Sequence, residues 1–284
     1  MKVGGLVIDV EAAVKQVKKR KGKRAILQVP EGLKRRAPEM AREFEKAGIE
    51  VTLVGDPCYG ACDLCTGYDK DIVVHVGHTP IGLSADAEAI FVEAMSTAPV
   101  KAVVEKALPF LGKSIGLVST AQHTNGLDEA KKIIEKSRKK AFIGNGDSRV
   151  KHPGQILGCN VSAARAISKK VDSFLFIGTG TFHPIEVSLA FGKPVIAADP
   201  VSGEVTDVAP LAERILRRRH GLITIASAAK SFGVIVCTKP GQKRDAVARR
   251  IVKMLRKAGR EAWIIRVNEI EPWRFKGFGF EALS

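Results

Sequence analysis

The sequence predicts an α/β protein in which three similar βαβ domains with parallel sheets pack around a shared central site. Short continuous apolar segments, such as residues 25–29 and 114–119, alternate with amphipathic helical segments, which is typical of parallel strands covered on both faces. This order of segments begins three times, at a spacing of about 80–110 residues that is too long for a solenoid. We expect domains at residues 1–98, 99–203 and 204–284, the last one incomplete at its C-terminal end.

Composition places the chain among globular cytoplasmic proteins. Its 284 residues are 45% hydrophobic and 27% charged, and no apolar segment approaches the roughly 20 residues that cross a bilayer. The N-terminus leads into no signal-peptide pattern. Five cysteines, an odd number, favour a reducing compartment. We therefore expect a cytoplasmic protein with no membrane partner.

The net charge of +16 is the unusual feature of the composition. It is consistent with solvated basic faces, and also with a polyanionic partner such as nucleic acid or an acidic protein. Aromatic residues make up only 6% of the chain and do not alternate with the basic ones. Base-stacking surfaces are therefore not expected, and neither is sequence-specific binding of nucleic acid.

The first predicted domain begins with a helix that Asp9 can cap, with Val10, Val14 and Val17 on one face. Gly48 ends the next helix in the position that favours a left-handed residue. In chain order we predict a helix at 10–21, a strand at 25–29, a helix at 35–47, a buried strand at 49–54, and strands at 72–76 and 89–92.

The other two domains repeat this pattern. For the second we predict helices at 100–110, 127–138, 161–170 and 184–191, and strands at 114–119, 140–143, 173–177 and 194–198. For the third we predict a long basic helix at 208–229, a strand at 232–237, a helix at 244–258, a strand at 261–266 and a further strand that begins near residue 280.

Three of the five cysteines, Cys58, Cys62 and Cys65, lie in one loop directly after a predicted strand. Thiolates grouped in this way suggest a soft metal rather than a crosslink. The Cys-x3-Cys-x2-Cys spacing is also the one with which many radical S-adenosylmethionine (SAM) enzymes hold a [4Fe-4S] cluster. Cys62 and Cys159 each follow Gly or Ala in a strand-end loop, where the backbone can approach a bulky ligand.

Other candidate ligand-binding residues lie in loops at the carboxyl ends of predicted strands, where open α/β sheets bind ligands. The histidines have different interpretations: His75 lies inside an apolar strand and is interpreted as a core residue, whereas His78, His123 and His183 follow strands, His78 and His183 directly beside glycine or proline. The strand-end candidates are Gly32, His78, Thr120, Gln122, Gly178, Gly180, His183, Lys239, Gly241 and Gln242.

Five motifs in register resemble one known family. They are Tyr59-Gly-Ala-Cys62, Gly144-x-Gly-Asp-Ser-Arg149, Pro153-Gly-Gln-x-Leu-Gly-Cys159, Gly180-x-Phe-His-Pro184 and Lys239-x-Gly-Gln242. In this order and spacing they are similar to the diphthamide biosynthesis enzymes of the archaeal, single-subunit kind. The resemblance covers essentially the whole chain, and it implies a quinolinate-synthase-like architecture of three domains.

The resemblance also implies a function. Family members belong to the unconventional radical SAM enzymes and transfer the 3-amino-3-carboxypropyl group of SAM to a histidine of translation elongation factor 2. They act as homodimers, with a reduced [4Fe-4S] cluster that breaks the Cγ–S bond of SAM and an electron donor that the sequence does not identify. The ten strand-end candidates above are then expected to line the SAM site.

The cluster ligands follow residue by residue from the resemblance. Cys62 and Cys159 match two family cysteines, whereas Cys58 and Cys65 match none. The third family cysteine would fall shortly after Ser284, so we expect the natural protein to continue past this residue. Two alternatives remain open: a quinolinate-synthase-like [4Fe-4S] dehydratase, and a basic RNA-binding protein with a structural zinc held by Cys58, Cys62 and Cys65.

Overall fold

The computed structural model describes residues 1–66, 71–239, 241–280 and 282–283. The chain divides into two compact units, Met1–Ala212 and Glu213–Ser284. Each unit contains parallel sheet combined with helices, which confirms the predicted α/β class. No helix in the described parts of the chain is both long enough and apolar enough to cross a membrane.

The N-terminal half of the first unit is built on a four-stranded parallel sheet. Its strands lie in the order β4-β3-β5-β6, beside a small antiparallel sheet of order β1-β2-β7. In chain order the elements are β1 (Lys2–Val3), β2 (Leu6–Ile8), α1 (Val10–Lys19), β3 (Arg24–Gln28), α2 (Ala37–Lys46), β4 (Glu50–Leu53), β5 (Ile72–Val76), β6 (Ile90–Val92) and β7 (Ala94–Ser96).

Helix α1 forms where the sequence predicts it. The Asp9 carboxylate accepts a hydrogen bond from Ala12 N at 2.9 Å and so caps the first turn. The apolar face of α1 packs with Phe44 of α2 into one core that also contains Leu27 of β3 and Val74 of β5. This burial fixes both helices against the parallel sheet.

The C-terminal half of the first unit contains a second sheet, of order β12-β11-β10-β8-β9, in which only β12 is antiparallel. In β10, Leu175 and Ile177 belong to one core, and Phe174 and Phe176 to another. The sheet is therefore covered on both faces. Its elements are α3 (Lys101–Ala107), β8 (Ser114–Ser119), α4 (Leu127–Lys136), β9 (Lys140–Ile143), α5 (Ser162–Ile167), β10 (Ser173–Ile177), α6 (Phe182–Phe191), β11 (Val195–Ala198) and β12 (Val205–Asp207).

The second unit has its own small parallel sheet, of order β14-β13-β15. Phe232 and Val234 of β13 pack against Ala248 and Val252 of the following helix. The elements are α7 (Ala209–Ala228), which begins in the first unit, β13 (Ser231–Cys237), α8 (Asp245–Lys257), β14 (Glu261–Val267), α9 (Pro272–Phe275) and β15 (Ala282–Leu283). β15 corresponds to the strand predicted near residue 280, although residues 281 and 284 lie outside the described part of the chain.

Two sequence predictions differ from the structure. The segment 49–54 does form a strand, but the prediction that it is buried is wrong, because β4 lies at the edge of its sheet and Leu53 is 44% exposed. The antiparallel strands β1, β2, β7 and β12 were not predicted. Each is only two or three residues long, which is too short for a periodicity to show.

Candidate functional site

The first cysteine loop, residues 55–66, follows the carboxyl end of β4 and is shaped by Asp63. The Asp63 Oδ2 atom accepts hydrogen bonds from Tyr59 N at 2.7 Å and Gly60 N at 3.1 Å. In return, Asp63 N donates to Gly60 O at 3.0 Å. These bonds close a 3-10 turn, Ala61–Asp63, which carries the half-buried Cys62. Hydrogen bonds of the Asp63 side chain and backbone therefore fix the position of this cysteine.

Gln28, at the end of β3 and 2% exposed, ties the first cysteine loop to β5. Its Nε2 donates to Asp63 O at 2.7 Å, and its Oε1 accepts from Cys65 N at 3.1 Å. The same Oε1 lies 2.8 Å from His75 Nδ1. An amide oxygen only accepts, so His75 carries its hydrogen on Nδ1 and has a lone pair on Nε2. His75 itself is fully buried, as its place in an apolar strand predicts.

The second cysteine loop, residues 144–161, follows β9 and turns sharply at Cys159. Leu157 N donates to Asn160 O at 2.8 Å, and Asn160 N donates to Leu157 O at 3.1 Å. Gly158 and Cys159 therefore form the tip of a tight turn, with Cys159 exposed. Arg149 Nη2 donates to Cys159 Sγ at 3.5 Å and so directs a guanidinium toward the sulfur.

Segment 77–82, which follows β5, contacts both cysteine loops. On one side the His78 ring interacts with the backbone of Tyr59 in the first loop. On the other, Thr79 Oγ1 accepts from Gln155 Nε2, in the second loop, at 2.7 Å. The loops that carry Cys62 and Cys159 thus flank one short segment of the first unit. Convergence of the two sulfurs on one cavity stays a prediction.

Four of the predicted SAM-site residues lie at the ends of the neighbouring strands β8 and β10. Thr120 follows β8, and its Oγ1 lies 3.5 Å from where a Gly178 Cβ would be. Gly178 and Gly180 have φ angles of 155° and 73°, which favour glycine. The His183 ring stacks on Phe176 at a centroid distance of 6.3 Å. Burial lowers the pKa of His183, so this imidazole is neutral at physiological pH.

Two further predicted residues of the first unit have different surroundings. Gly32 lies in a 3-10 turn after β3 and has open space beside its Cα. Gln122 Nε2 donates to Gly77 O at 2.7 Å, and so connects the loop after β8 to segment 77–82. Gln122 therefore contributes to the position of that segment.

Of the remaining predicted residues, His78 lies in segment 77–82 of the first unit, and the other three belong to the second unit, after β13. Lys239 is 8% exposed and forms an ion pair with Glu269. Gln242 N donates to Lys239 O at 3.0 Å, which closes a turn around Gly241. Their assignment to SAM binding stays a prediction.

The structure brings Cys58 together with two histidines. In the described part of the chain, Cys58, His75 and His78 form a set whose ligand atoms all lie within 4.8 Å of one another. Burial raises the pKa of the Cys58 thiol to about 12 and lowers the pKa values of His75 and His78 to about 3 and about 4. Sequence reasoning missed this cluster, although a His-x2-His pair at the end of a strand could have indicated it.

Parallel sheets with two cysteine loops beside their carboxyl ends define an α/β protein with a candidate ligand site that contains cysteines. Comparison with known proteins identifies its family. The family model for the putative diphthamide synthesis protein matches residues 29–283, and the chain belongs to this family.

Similar proteins agree with this assignment. The 2-(3-amino-3-carboxypropyl)histidine synthase of Pyrococcus horikoshii is 41% identical over 276 residues, which cover 95% of this chain and 79% of that protein. The synthase of Methanocaldococcus jannaschii is 26% identical, over 93% of this chain and 78% of its own length. The crystal structure of Dph2 from P. horikoshii with a 4Fe-4S cluster superposes with a TM-score of 0.90 at 39% identity, and covers 98% of this chain and 83% of that one.

Proposed function

We propose that the chain is a 2-(3-amino-3-carboxypropyl)histidine synthase. It transfers the 3-amino-3-carboxypropyl group of SAM to a histidine of translation elongation factor 2, the first step of diphthamide synthesis. The observation that carries this proposal is the 41% identity to the P. horikoshii synthase over 95% of the chain. The family match at residues 29–283 includes both cysteine loops.

The proposal includes the quinolinate-synthase-like arrangement of three domains, at residues 1–98, 99–203 and 204–284. In its support, each of these ranges contains a parallel sheet with associated helices. The enzyme acts in the cytoplasm as a homodimer, with an external electron donor. Its charge of +16 suits a partner that works on the ribosome.

Cys62 and Cys159 would supply two ligands to a [4Fe-4S] cluster, which proteins hold through cysteine thiolates. Both residues fit this role, because they are half-buried or exposed and their loops are shaped by hydrogen bonds within the protein. Gly60 also leaves room beside the first sulfur, since a Cβ there would lie 3.4 Å from Cys62 Sγ. When bound, the cluster supplies the electron that breaks the Cγ–S bond of SAM.

The ends of β8 and β10 are the proposed SAM site of the first unit. The left-handed glycines Gly178 and Gly180 expose backbone groups there, and the Thr120 hydroxyl lies beside them. His183 is kept neutral by burial, so it can form hydrogen bonds without repelling the positive sulfonium of SAM. Gln122 holds segment 77–82 in place through Gly77 O.

The test is a reaction of the anaerobically reconstituted, reduced protein with SAM and an archaeal elongation factor 2. We expect release of methylthioadenosine and addition of one 3-amino-3-carboxypropyl group to a histidine of the factor, detected by peptide mass spectrometry. Methylthioadenosine is not a product of a quinolinate-synthase-like dehydratase. A reduced, cluster-containing protein that leaves SAM intact would overturn the proposal.

Cysteine variants provide the matched controls. Cys62→Ala and Cys159→Ala are each expected to lower the iron content and abolish SAM cleavage. Cys65→Ala changes a neighbouring cysteine of the same loop and should keep a substantial fraction of both. If Cys65 proves as necessary as Cys62, the Cys-x3-Cys-x2-Cys arrangement holds the cluster and the proposed ligand assignment is wrong.

A further inference from the structure

We propose that Cys58, His75 and His78 form a second metal site, for a thiophilic divalent cation such as Zn²⁺. One ligand atom of each residue lies within 4.8 Å of those of the other two. The three residues come from the first cysteine loop, from β5 and from the segment after β5. Two imidazoles and a thiolate form a donor set that Zn²⁺ binds in proteins.

The hydrogen positions in the cluster suit a bound cation. Because Gln28 Oε1 accepts from His75 Nδ1, the lone pair of His75 Nε2 faces His78 Nδ1 at 2.9 Å. Without a metal, a single hydrogen on His78 Nδ1 fills this gap. When His78 carries its hydrogen on Nε2 instead, its Nδ1 atom also has a lone pair. A cation can then bind to both His75 Nε2 and His78 Nδ1. Neither imidazole then loses a proton, and only the Cys58 thiol releases one as it becomes a ligand.

The charge around the cluster also favours a cation. The Asp63 carboxylate lies close enough for its charge to act on all three side chains. The charges of a divalent cation, the Cys58 thiolate and Asp63 together sum to zero, and Glu31, which also acts on Cys58, is neutralised by its ion pair with Lys34. Such neutralisation matters here, because an uncompensated charge is costly in a buried position, and Cys58 and His75 are 1% and 0% exposed.

The surroundings of the cluster hold its ligands in place. His75 donates its Nδ1 hydrogen to Gln28, an arrangement that orients metal-binding histidines in many proteins. Cys58 N donates to Glu31 Oε1 at 3.3 Å, which anchors the first cysteine loop beside this side chain. A metal at this position would connect β5 to the loop that carries Cys62, four residues after Cys58.

The experiment uses the full chain with Cys62→Ala and Cys159→Ala, so that neither a cluster nor an adventitious metal can use those thiols. The protein is stripped with a chelator and titrated anaerobically with Co²⁺ or Zn²⁺. We expect one equivalent to bind, with a thiolate-to-Co²⁺ charge-transfer band. X-ray absorption of the Zn²⁺ form should show one sulfur at about 2.3 Å and two imidazole nitrogens at about 2.0–2.1 Å.

Variants in the same background identify the ligands. Cys58→Ala should remove the charge-transfer band, and His78→Gln should weaken Co²⁺ binding by at least about tenfold. Cys65→Ala is the matched control and should bind as the parent does, and circular dichroism checks that each variant is folded. Binding below one equivalent, loss of the band in Cys65→Ala, or a zinc shell without sulfur would each overturn the proposal. None of these measurements depends on SAM cleavage, so they test the second site separately from the proposed function.

Discussion

Replacing Gln28 with alanine tests how the first cysteine loop is held. The amide side chain makes three hydrogen bonds, to Asp63 O, Cys65 N and His75 Nδ1, and is 2% exposed. Removal of the amide leaves the N–H groups of Cys65 N and His75 Nδ1, and the carbonyl of Asp63, without this hydrogen-bond partner. We therefore expect Gln28→Ala to loosen the loop as well as destabilise the first unit.

The expected magnitude follows from the number of bonds. A hydrogen bond contributes a net stabilisation of about 0.5–1.5 kcal/mol, and a buried group that loses its partner costs about 1–3 kcal/mol. Because the loop can relax toward solvent at Cys65, which is half-buried, we expect a loss of about 2–4 kcal/mol in the free energy of unfolding. The Cys65 amide should also exchange its hydrogen at least about tenfold faster.

Urea unfolding and hydrogen–deuterium exchange of the peptide spanning residues 55–66 measure the two effects. Gln16→Ala is the matched control, because it makes the same chemical change at an exposed position of α1 and should alter stability by less than about 0.5 kcal/mol. If Gln28→Ala unfolds like this control and its loop amides exchange at the parent rate, the structure of the loop does not depend on Gln28.

Three further predictions concern other parts of the chain. Burial lowers the pKa of His123 below 6.5, so the unfolded state binds more protons below that pH and the free energy of unfolding falls on acidification, by up to about 1.4 kcal/mol per pH unit. His123→Asn should reduce the dependence of the urea unfolding midpoint on pH between pH 7 and 5. A midpoint that varies with pH as in the parent protein would refute this. Gly144→Ala should cost about 1–3 kcal/mol in thermal or urea unfolding, because a Cβ there would lie 2.1 Å from a backbone carbonyl oxygen, whereas Gly55 has open space and its alanine variant is the control. Arg149→Leu should lower the iron content after reconstitution, because its guanidinium contacts Cys159 Sγ, and iron content equal to the parent would contradict this role.

Much of the fold could be predicted because burial dominates the sequence of its central strands. The strand predicted at 173–177 is observed as Ser173–Ile177, with alternate residues in separate cores on the two faces of the sheet. The four residues that fill these cores, 174–177, are all apolar, and the sequence shows this directly. At the edge of a sheet, apolar residues do not imply a buried strand. β4 contains Val51 and Leu53, yet it is largely exposed.

The candidate site could be predicted only in part. Cys62 and Cys159 lie in motifs that resemble those of the family, and their assignment as cluster ligands stays a prediction. Cys58 and His75 lie 17 positions apart and meet because β4 and β5 both pair with β3. A contact that depends on strand order leaves no local pattern in the sequence, and spacing instead suggested a pairing of Cys58 with Cys62 and Cys65.

Hydrogen bonds within the protein shape both cysteine loops before any ligand is added. Asp63 and Gln28 already connect the first loop to itself and to β3 and β5. In the second loop, Asn160 donates to Asp147 Oδ1 at 2.8 Å, and its backbone closes the turn at Cys159. Since both loops acquire their shape from protein atoms alone, little conformational entropy remains to be lost when a cofactor binds. Loss of the cofactor should therefore leave both turns intact, and loop order then depends on residues such as Gln28 and Asn160.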